Sequence, residues 1–211
     1  MARPRAFDER EVLERAMRLF WQRGYGGVSF ADLEAATGIS RTSIYAAWGD
    51  KEGLFVAVVD HYDSHYSAQL RVALRAAPTA WTGIEAYFAR LLAAFADPAL
   101  PLGCLVTNVA VEGDRGQSRL GRRIAASLAL AEDAFAETLC RAQSHGELSP
   151  EADARALARQ LVAVTHGLSV LAKASLDGAL LRDVIASTLA ALRPMFRGTA
   201  AILAGPARRA G

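Results

Sequence analysis

Three stretches of the 211-residue chain set reactive side chains at spacings that could do chemistry. Arg41, Thr42, Ser43 and Tyr45 gather a guanidinium, two hydroxyls and a phenol at the start of one short helix. A guanidinium bonds the guanine O6/N7 edge, and hydroxyls and phenols reach bases or phosphate oxygens. Cys104 follows Pro101 and Gly103 at the expected N-terminal end of a helix, where free N–H groups favour the reactive thiolate. It is a candidate redox or electrophile sensor, while Cys140, on the polar–apolar boundary of a long helix, reads as structural. His61 and His65 stand four apart, as bridging metal ligands do. Two ligands make no complete site, and Asp60 and Asp63 project to other faces, so a solvated helix face is expected. No Ser-His-Asp arrangement, phosphate-binding loop of the Walker type or zinc spacing occurs, so no catalytic residue, metal or cofactor is expected.

The elements that must position these residues are helical. The composition is 52% hydrophobic and 22% charged, that of a folded globular protein, and Ala and Leu dominate over β-branched runs. Pro78, Pro98, Pro101, Pro150 and Pro194 punctuate segments of apolar period near 3.6. Asp8 with Glu11 marks an N-cap, after which Val12, Leu13, Ala16, Leu19 and Phe20 form one stripe. Gly-Tyr-Gly-Gly at 24–27 ends that helix as a turn. Ser29 with Asp32 caps a short helix burying Phe30, Leu33 and Ala36. Gly38 supplies a left-handed turn, and Ser40 caps the helix bearing Arg41. Gly49-Asp50 breaks it. Longer helices are expected over about 51–75, 80–96, 104–113, 117–145, 151–177 and 179–196, giving an all-α fold of about nine helices. The division predicted is a helix-turn-helix domain at 1–50, a helical effector-binding and dimerisation domain at 51–205 whose connecting helix is 51–75, and a disordered tail at 206–211. No apolar stretch is long enough for a membrane span and no secretory h-region is present, so a cytoplasmic location without membrane contact is expected.

Two short helices joined by a glycine turn on a preceding helix make a helix-turn-helix unit. Leu33, Ile39 and Ile44 would lock the pair, and the N-terminal end of the second helix would enter the major groove of double-stranded DNA. Tyr45, one turn on, and Lys51, at the start of the next helix, suit phosphate oxygens. The net charge is only +2, and residues 1–50 carry seven Arg against seven acids. Placement of charge must therefore matter more than its total.

The stretch FWQRGYGGVSFADLEAATGISRTSIYAAWGDKEGLF resembles the DNA-binding region of the tetracycline-repressor (TetR/AcrR) family. Phe20, Gly24, Tyr25, Ser29, Gly38-Ile39, Tyr45, Lys51 and Leu54-Phe55 carry the likeness. The resemblance implies a homodimer of all-helical subunits that represses transcription at a palindromic operator and is released by a small ligand. It also implies that Ser29, Arg41, Thr42, Ser43, Tyr45 and Lys51 fall on DNA-contacting positions. Glu34 stands where the family often has Ala, and Trp48 where Phe is commoner.

Beyond residue 75 the likeness fades. Leu157, Leu161, Val164, Leu168 and Leu171, then Leu181, Ile185, Thr188, Leu192 and Met195, repeat a 4, 3, 4, 3 spacing. Such stripes suit pairing of the helices at about 151–177 and 179–196 with their two-fold copies in a four-helix bundle, which is the expectation; the alternative is that they face the subunit's own core. The helices at 51–75 and 80–96 carry Tyr62, Tyr66, Trp81, Tyr87, Phe88 and Phe95, which suit either a core or a cavity wall. Tyr62, Tyr66, Trp81 and Phe88 are candidates to line an effector cavity with Cys104, and Asn108, Glu112 and His166 to orient its ligand. Arg115, Arg119, Arg122 and Arg123 read as a solvent-facing strip. The function expected is a ligand- or thiol-responsive transcriptional regulator. The competing classes are a thiol-dependent enzyme and an effector-free DNA-binding protein.

Overall fold

The computed structural model describes residues 7–112, 118–175 and 177–197; the predicted tail at 206–211 and Arg115 lie outside them. Among the described residues the architecture is all-α. The helices are α1 (Glu9–Arg23), α2 (Phe30–Thr37), α3 (Arg41–Trp48), α4 (Lys51–Tyr62), α5 (Ala68–Ala76), α6 (Ala80–Ala96), α7 (Leu105–Ala110), α8 (Arg119–Ser144), α9 (Ala154–Ala174) and α10 (Gly178–Leu192). A π-helical turn, Asp63–Ser67, welds α4 to α5, so the connecting helix expected over 51–75 is one rod with a π-bulge. A 3-10 turn, Arg193–Met195, closes α10. No helix of the described residues is long and apolar enough to cross a membrane.

Local chemistry sets the helix ends. Asp8 accepts from the N–H groups of Arg10 and Glu11. Ser29 and Asp32 form a reciprocal capping box, and Ser40 and Asp50 cap α3 and α4. Each such side chain satisfies an N–H that the first turn leaves without a partner. Gly38 at φ 75° turns α2 into α3 in the left-handed region that glycine enters without steric cost. Helix α9 starts at Ala154, later than expected, because Asp153 rather than a residue near Pro150 is its cap. Pro194 has no N–H to extend α10, which passes into the 3-10 turn.

Two apolar clusters hold the fold. One joins α5, α6, α8, α9 and α10 around Phe88, Phe135, Leu139 and Leu161. The other packs α1 to α4 with α7 and the start of α8, around Phe20, Leu33, Ile44, Phe55 and Leu105. This second core crosses residue 50, so the helix-turn-helix and the body share apolar contacts. The stripes of α9 and α10 belong to the first cluster: Leu157, Leu161, Leu168, Leu181, Ile185 and Leu192 are buried within it, with Val164 and Leu171 packed against it. The expectation that those stripes face a partner is thereby corrected. Hydrophobic spacing identifies a buried face but not whose atoms bury it.

Candidate nucleic-acid interface and buried cavity

Helix α3 presents its N-terminal end outward, with Arg41 and Thr42 exposed and Ile44 fully buried beneath. Arg41 is held before any ligand arrives. Its Cζ lies 4.5 Å from the Phe30 ring centroid and 5.4 Å from that of Tyr45. Its Nη2 donates to Tyr45 Oη at 3.2 Å, and the Phe30 and Tyr45 rings stack at 5.2 Å. Stacking fixes the plane of the guanidinium fork and lowers the entropy lost on bidentate bonding. Glu34 Oε1 accepts the Arg41 N–H at 2.5 Å. Its departure from the family pattern thus supplies a bond to the first turn of α3, not merely a change of packing.

Other predicted contact residues are partly engaged. Ser29 Oγ donates to Asp32 Oδ2 at 2.5 Å, and Ser43 Oγ lies 3.1 Å from Ser40 Oγ. Lys51 Nζ donates to the Tyr25 carbonyl at 2.7 Å and sits 4.4 Å from the Tyr25 ring centroid. Burial lowers its pKa. Two of its three N–H donors are left for an anion. Trp48 is half-buried and packs 6.0 Å from the Phe7 ring.

The body encloses a cavity of about 410 Å³ between the two cores. Of the predicted effector residues, Tyr62, Tyr66, Cys104 and His166 line it. Tyr87 and Phe95, among the aromatics considered, line it too, whereas Trp21, Ser127 and Thr165 were missed. The signal for Trp21 was its place four residues after Met17 on a second buried row of α1. Tyr62 Oη donates to Cys104 Sγ at 3.3 Å. Burial pushes the Tyr62 phenol well above its ordinary pKa, with the neighbouring Cys104 adding to it, and burial pushes Tyr87 up to about 12. Both phenols remain neutral O–H groups. Cys104 is the N-cap of α7, whose six residues make a short helix, and it makes no side-chain cap bond.

Four predicted lining residues lie elsewhere. Trp81, in the first turn of α6, packs at 5.1 Å on Phe196 under the Arg193 guanidinium and donates its indole N–H to Glu85. The cavity meets the later turns of α6, at Tyr87, Leu91 and Phe95. Phe88 is 1% exposed in the first core. One residue past Tyr87, it is turned about 100° away around the helix. Asn108 Nδ2 donates to the carbonyls of Trp21 at 3.1 Å and Leu102 at 3.4 Å, and so it fixes backbone instead of facing a ligand. Glu112 accepts from the N–H groups of Tyr25 at 2.8 Å and Gly26 at 2.7 Å. A carboxylate of the body thereby holds the α1–α2 turn, where Gly24, at φ 76°, leaves no Cβ in its way.

Three polar readings are also corrected. His61 is 8% exposed, and its Nε2 lies 3.0 Å from Glu14 Oε2. Glu14 accepts as well from Tyr66 and Arg18, each at 2.8 Å. Burial pushes the Glu14 carboxyl up, but these hydrogen bonds together bring it below its ordinary pKa. His61 therefore belongs to the contact with α1, while His65 stays exposed as expected. No group of three metal-ligating side chains occurs among the described residues. Arg119 and Arg122 face solvent as expected, but Arg123 of the same strip is drawn in against α4 and the π-turn. Arg119 pairs with Asp50 at 2.6 Å, and Arg123 with Asp60 at 2.7 Å and Asp63 at 2.6 Å. The sequence reading treated each helix alone and so lost the ties between α4 and α8. Finally, Cys140 is exposed, so it is not a packed structural thiol.

Known proteins share this arrangement. Residues 12–58 match the family model described as bacterial regulatory proteins, tetR family, and residues 80–188 match the tetracyclin repressor-like C-terminal domain. The HTH-type transcriptional repressor ComR of Escherichia coli is 31% identical over 188 residues, covering 89% of this chain and 90% of its own. The uncharacterized HTH-type transcriptional regulator YezE of Bacillus subtilis is 34% identical over 193 residues, covering 91% and 100%. A solved cysteine mutant of the TetR family transcriptional regulator CifR, complexed with 26-base-pair double-strand operator DNA, superposes with a TM-score of 0.84. It is 36% identical and covers 90% of this chain and 99% of its own.

Proposed function

The chain belongs to the tetracycline-repressor family of bacterial regulatory proteins, and from that premise we propose a cytoplasmic homodimeric repressor that reads a palindromic operator with α3 and is released through the buried cavity. The observation that carries the reading is the outward N-terminal end of α3, with Arg41 pre-stacked on Phe30 and Tyr45. Arg41 and Thr42 would read base edges. Ser29, Ser43, Tyr45 and Lys51 would position the head on phosphates. The reading contains no catalytic step. Its test is fluorescence anisotropy of the purified protein on DNA from its own upstream intergenic region against a scrambled duplex. Tight selective binding is expected, and weak equal binding to both would contradict it.

Three contacts support transmission from cavity to head. Trp21 of α1 and Tyr62 of α4 both line the cavity and meet edge-to-face at 5.0 Å. Tyr66, in the π-turn, also lines it and bonds Glu14 of α1. Helix α7 leads from Cys104 at the cavity wall toward Glu112, which grips the α1–α2 turn. A ligand that prefers a wider cavity displaces these walls together. The heads then no longer match major-groove faces about 34–36 Å apart, by a population shift between two dimer shapes.

The dimer would form through α9 and α10, on the side turned away from their own core. Val170 is 47% exposed, Leu180 is 39% exposed, and a Cβ built at Gly167 would meet no atom within 4 Å. Val170→Asp is expected to give a monomer by light scattering at micromolar concentration. A persistent dimer would move the interface elsewhere.

The Tyr62–Cys104 contact favours thiol modification as a second route of release. Alkylating Cys104 with N-ethylmaleimide would add bulk inside the cavity, whereas alkylating the exposed Cys140 would not. Cys104→Ser is expected to leave operator affinity unchanged and to abolish release by the reagent, while Cys140→Ser retains it. Release persisting in Cys104→Ser would remove the thiol route.

A further inference from the structure

Two ring nitrogens in the cavity wall are buried without a hydrogen-bond partner: Trp21 Nε1 and His166 Nε2. Trp21 is 4% exposed, and its indole N–H can only donate. His166 Nδ1 lies 2.7 Å from Thr107 Oγ1, so its Nε2 is the free end of a ring whose other end is fixed. Burial lowers the His166 pKa, leaving the imidazole neutral at pH 7. A buried donor without a partner is costly, and these two belong to rings lining the same cavity.

The remaining wall is mostly apolar. Tyr62, Tyr66, Leu91, Phe95 and Val106 supply ring and aliphatic surface. The charged lining residues are Arg71, Arg90 and Asp97. Arg90 and Asp97 are exposed, while half-buried Arg71 donates to the Asp63 carbonyl at 3.0 Å. Solvent-exposed charges contribute little to affinity, whereas a site built around a buried donor rejects an analogue lacking the acceptor strongly.

We propose that the cavity selects a neutral, ring-bearing small molecule with a carbonyl-type oxygen, which accepts from Trp21 Nε1–H. This rests on the reading of the cavity as the effector site and adds the chemical class of the effector. Apolar contact with Tyr62 and Tyr66 holds the ring, and the oxygen satisfies a donor that the fold leaves over.

Three probes of one ring size test it by isothermal titration calorimetry on the full-length protein at neutral pH: 2-acetylnaphthalene, 2-ethylnaphthalene and 2-naphthoate. The ketone is expected to bind roughly tenfold or more tighter than the ethyl compound. Trp21→Phe, which keeps ring bulk and removes the N–H, is expected to erase that difference. The wild-type comparison needs no variant, so a folding defect in Trp21→Phe would not blunt it. Equal binding of ketone and hydrocarbon overturns the acceptor assignment and leaves the cavity as a binding site. Tightest binding of the naphthoate overturns neutrality and moves the anchor to Arg71 and Arg90. Failure of all three overturns the cavity reading itself.

Discussion

Replacing Asp63 with alanine is expected to cost about 3–5 kcal/mol of stability and to lower the melting temperature by roughly 6–20 °C for a chain of this size. Asp63 sits in the π-turn with its side chain 7% exposed. It accepts from Arg123 at 2.6 Å and from Ser127 Oγ at 2.8 Å on each carboxylate oxygen. The Arg123 side chain is itself only 17% exposed. Removing the carboxylate strands a largely desolvated guanidinium and a buried hydroxyl. Asp60, the other partner of Arg123, is 62% exposed and offsets only part of the loss. The control is Asp60→Ala, which should cost under about 1 kcal/mol because exposed pairs contribute little. Thermal and urea denaturation at one fixed protein concentration measure both, since dimerisation makes melting concentration-dependent. Equal small effects would mean that main-chain geometry alone holds the π-turn against α8.

Arg41→Ala is expected to cost about 1–3 kcal/mol per half-site against the preferred base pair, roughly a 5- to 150-fold loss. Binding to scrambled DNA should change far less. The native guanidinium is already oriented by two rings and the Tyr45 hydroxyl, so little entropy is lost when it bonds a base. Arg41→Lys separates charge from shape. It should keep non-specific binding and lose the base preference, because an ammonium lacks the fork. Lys51→Ala should weaken binding to all sequences alike. Anisotropy titrations of the four proteins on operator and scrambled duplexes decide the matter. Operator binding unchanged in both alanine variants would remove the assignment of α3 as the reading helix.

What could be seen in the sequence was local. The Ser29–Asp32 capping box, the Gly38 turn and the Ser40 cap each close within a few residues, and residue chemistry reads them directly. The second core was half legible, since Leu33 and Ile44 sit at helix-turn-helix spacing, but its extension to Leu105 and Ile124 was not. The ties that organise the body span long separations: 60 residues from Asp63 to Arg123 and 87 from Tyr25 to Glu112. Periodicity treated Asp63 as one more polar residue on a long helix, because a side chain's burial depends on what crosses it. The π-turn was equally silent, for nothing in a 3.6-residue pattern marks where one extra residue is inserted. Among the aromatics, type alone did not separate Tyr87, in the cavity wall, from Phe88, in the core.

Trp21 gives the molecule a property that no list of its parts contains. The residue belongs to the first helix, yet its ring is a wall of the cavity, so the head is not a portable cassette. A chimaera that grafted residues 1–50 onto another family member's body would import one surface of this cavity along with α3. Under the proposed effector reading, swapping heads would therefore retune the inducer spectrum. Engineering a new operator specificity into this chain is best done by substituting the outer face of α3 alone, leaving the inner face of α1 as it stands.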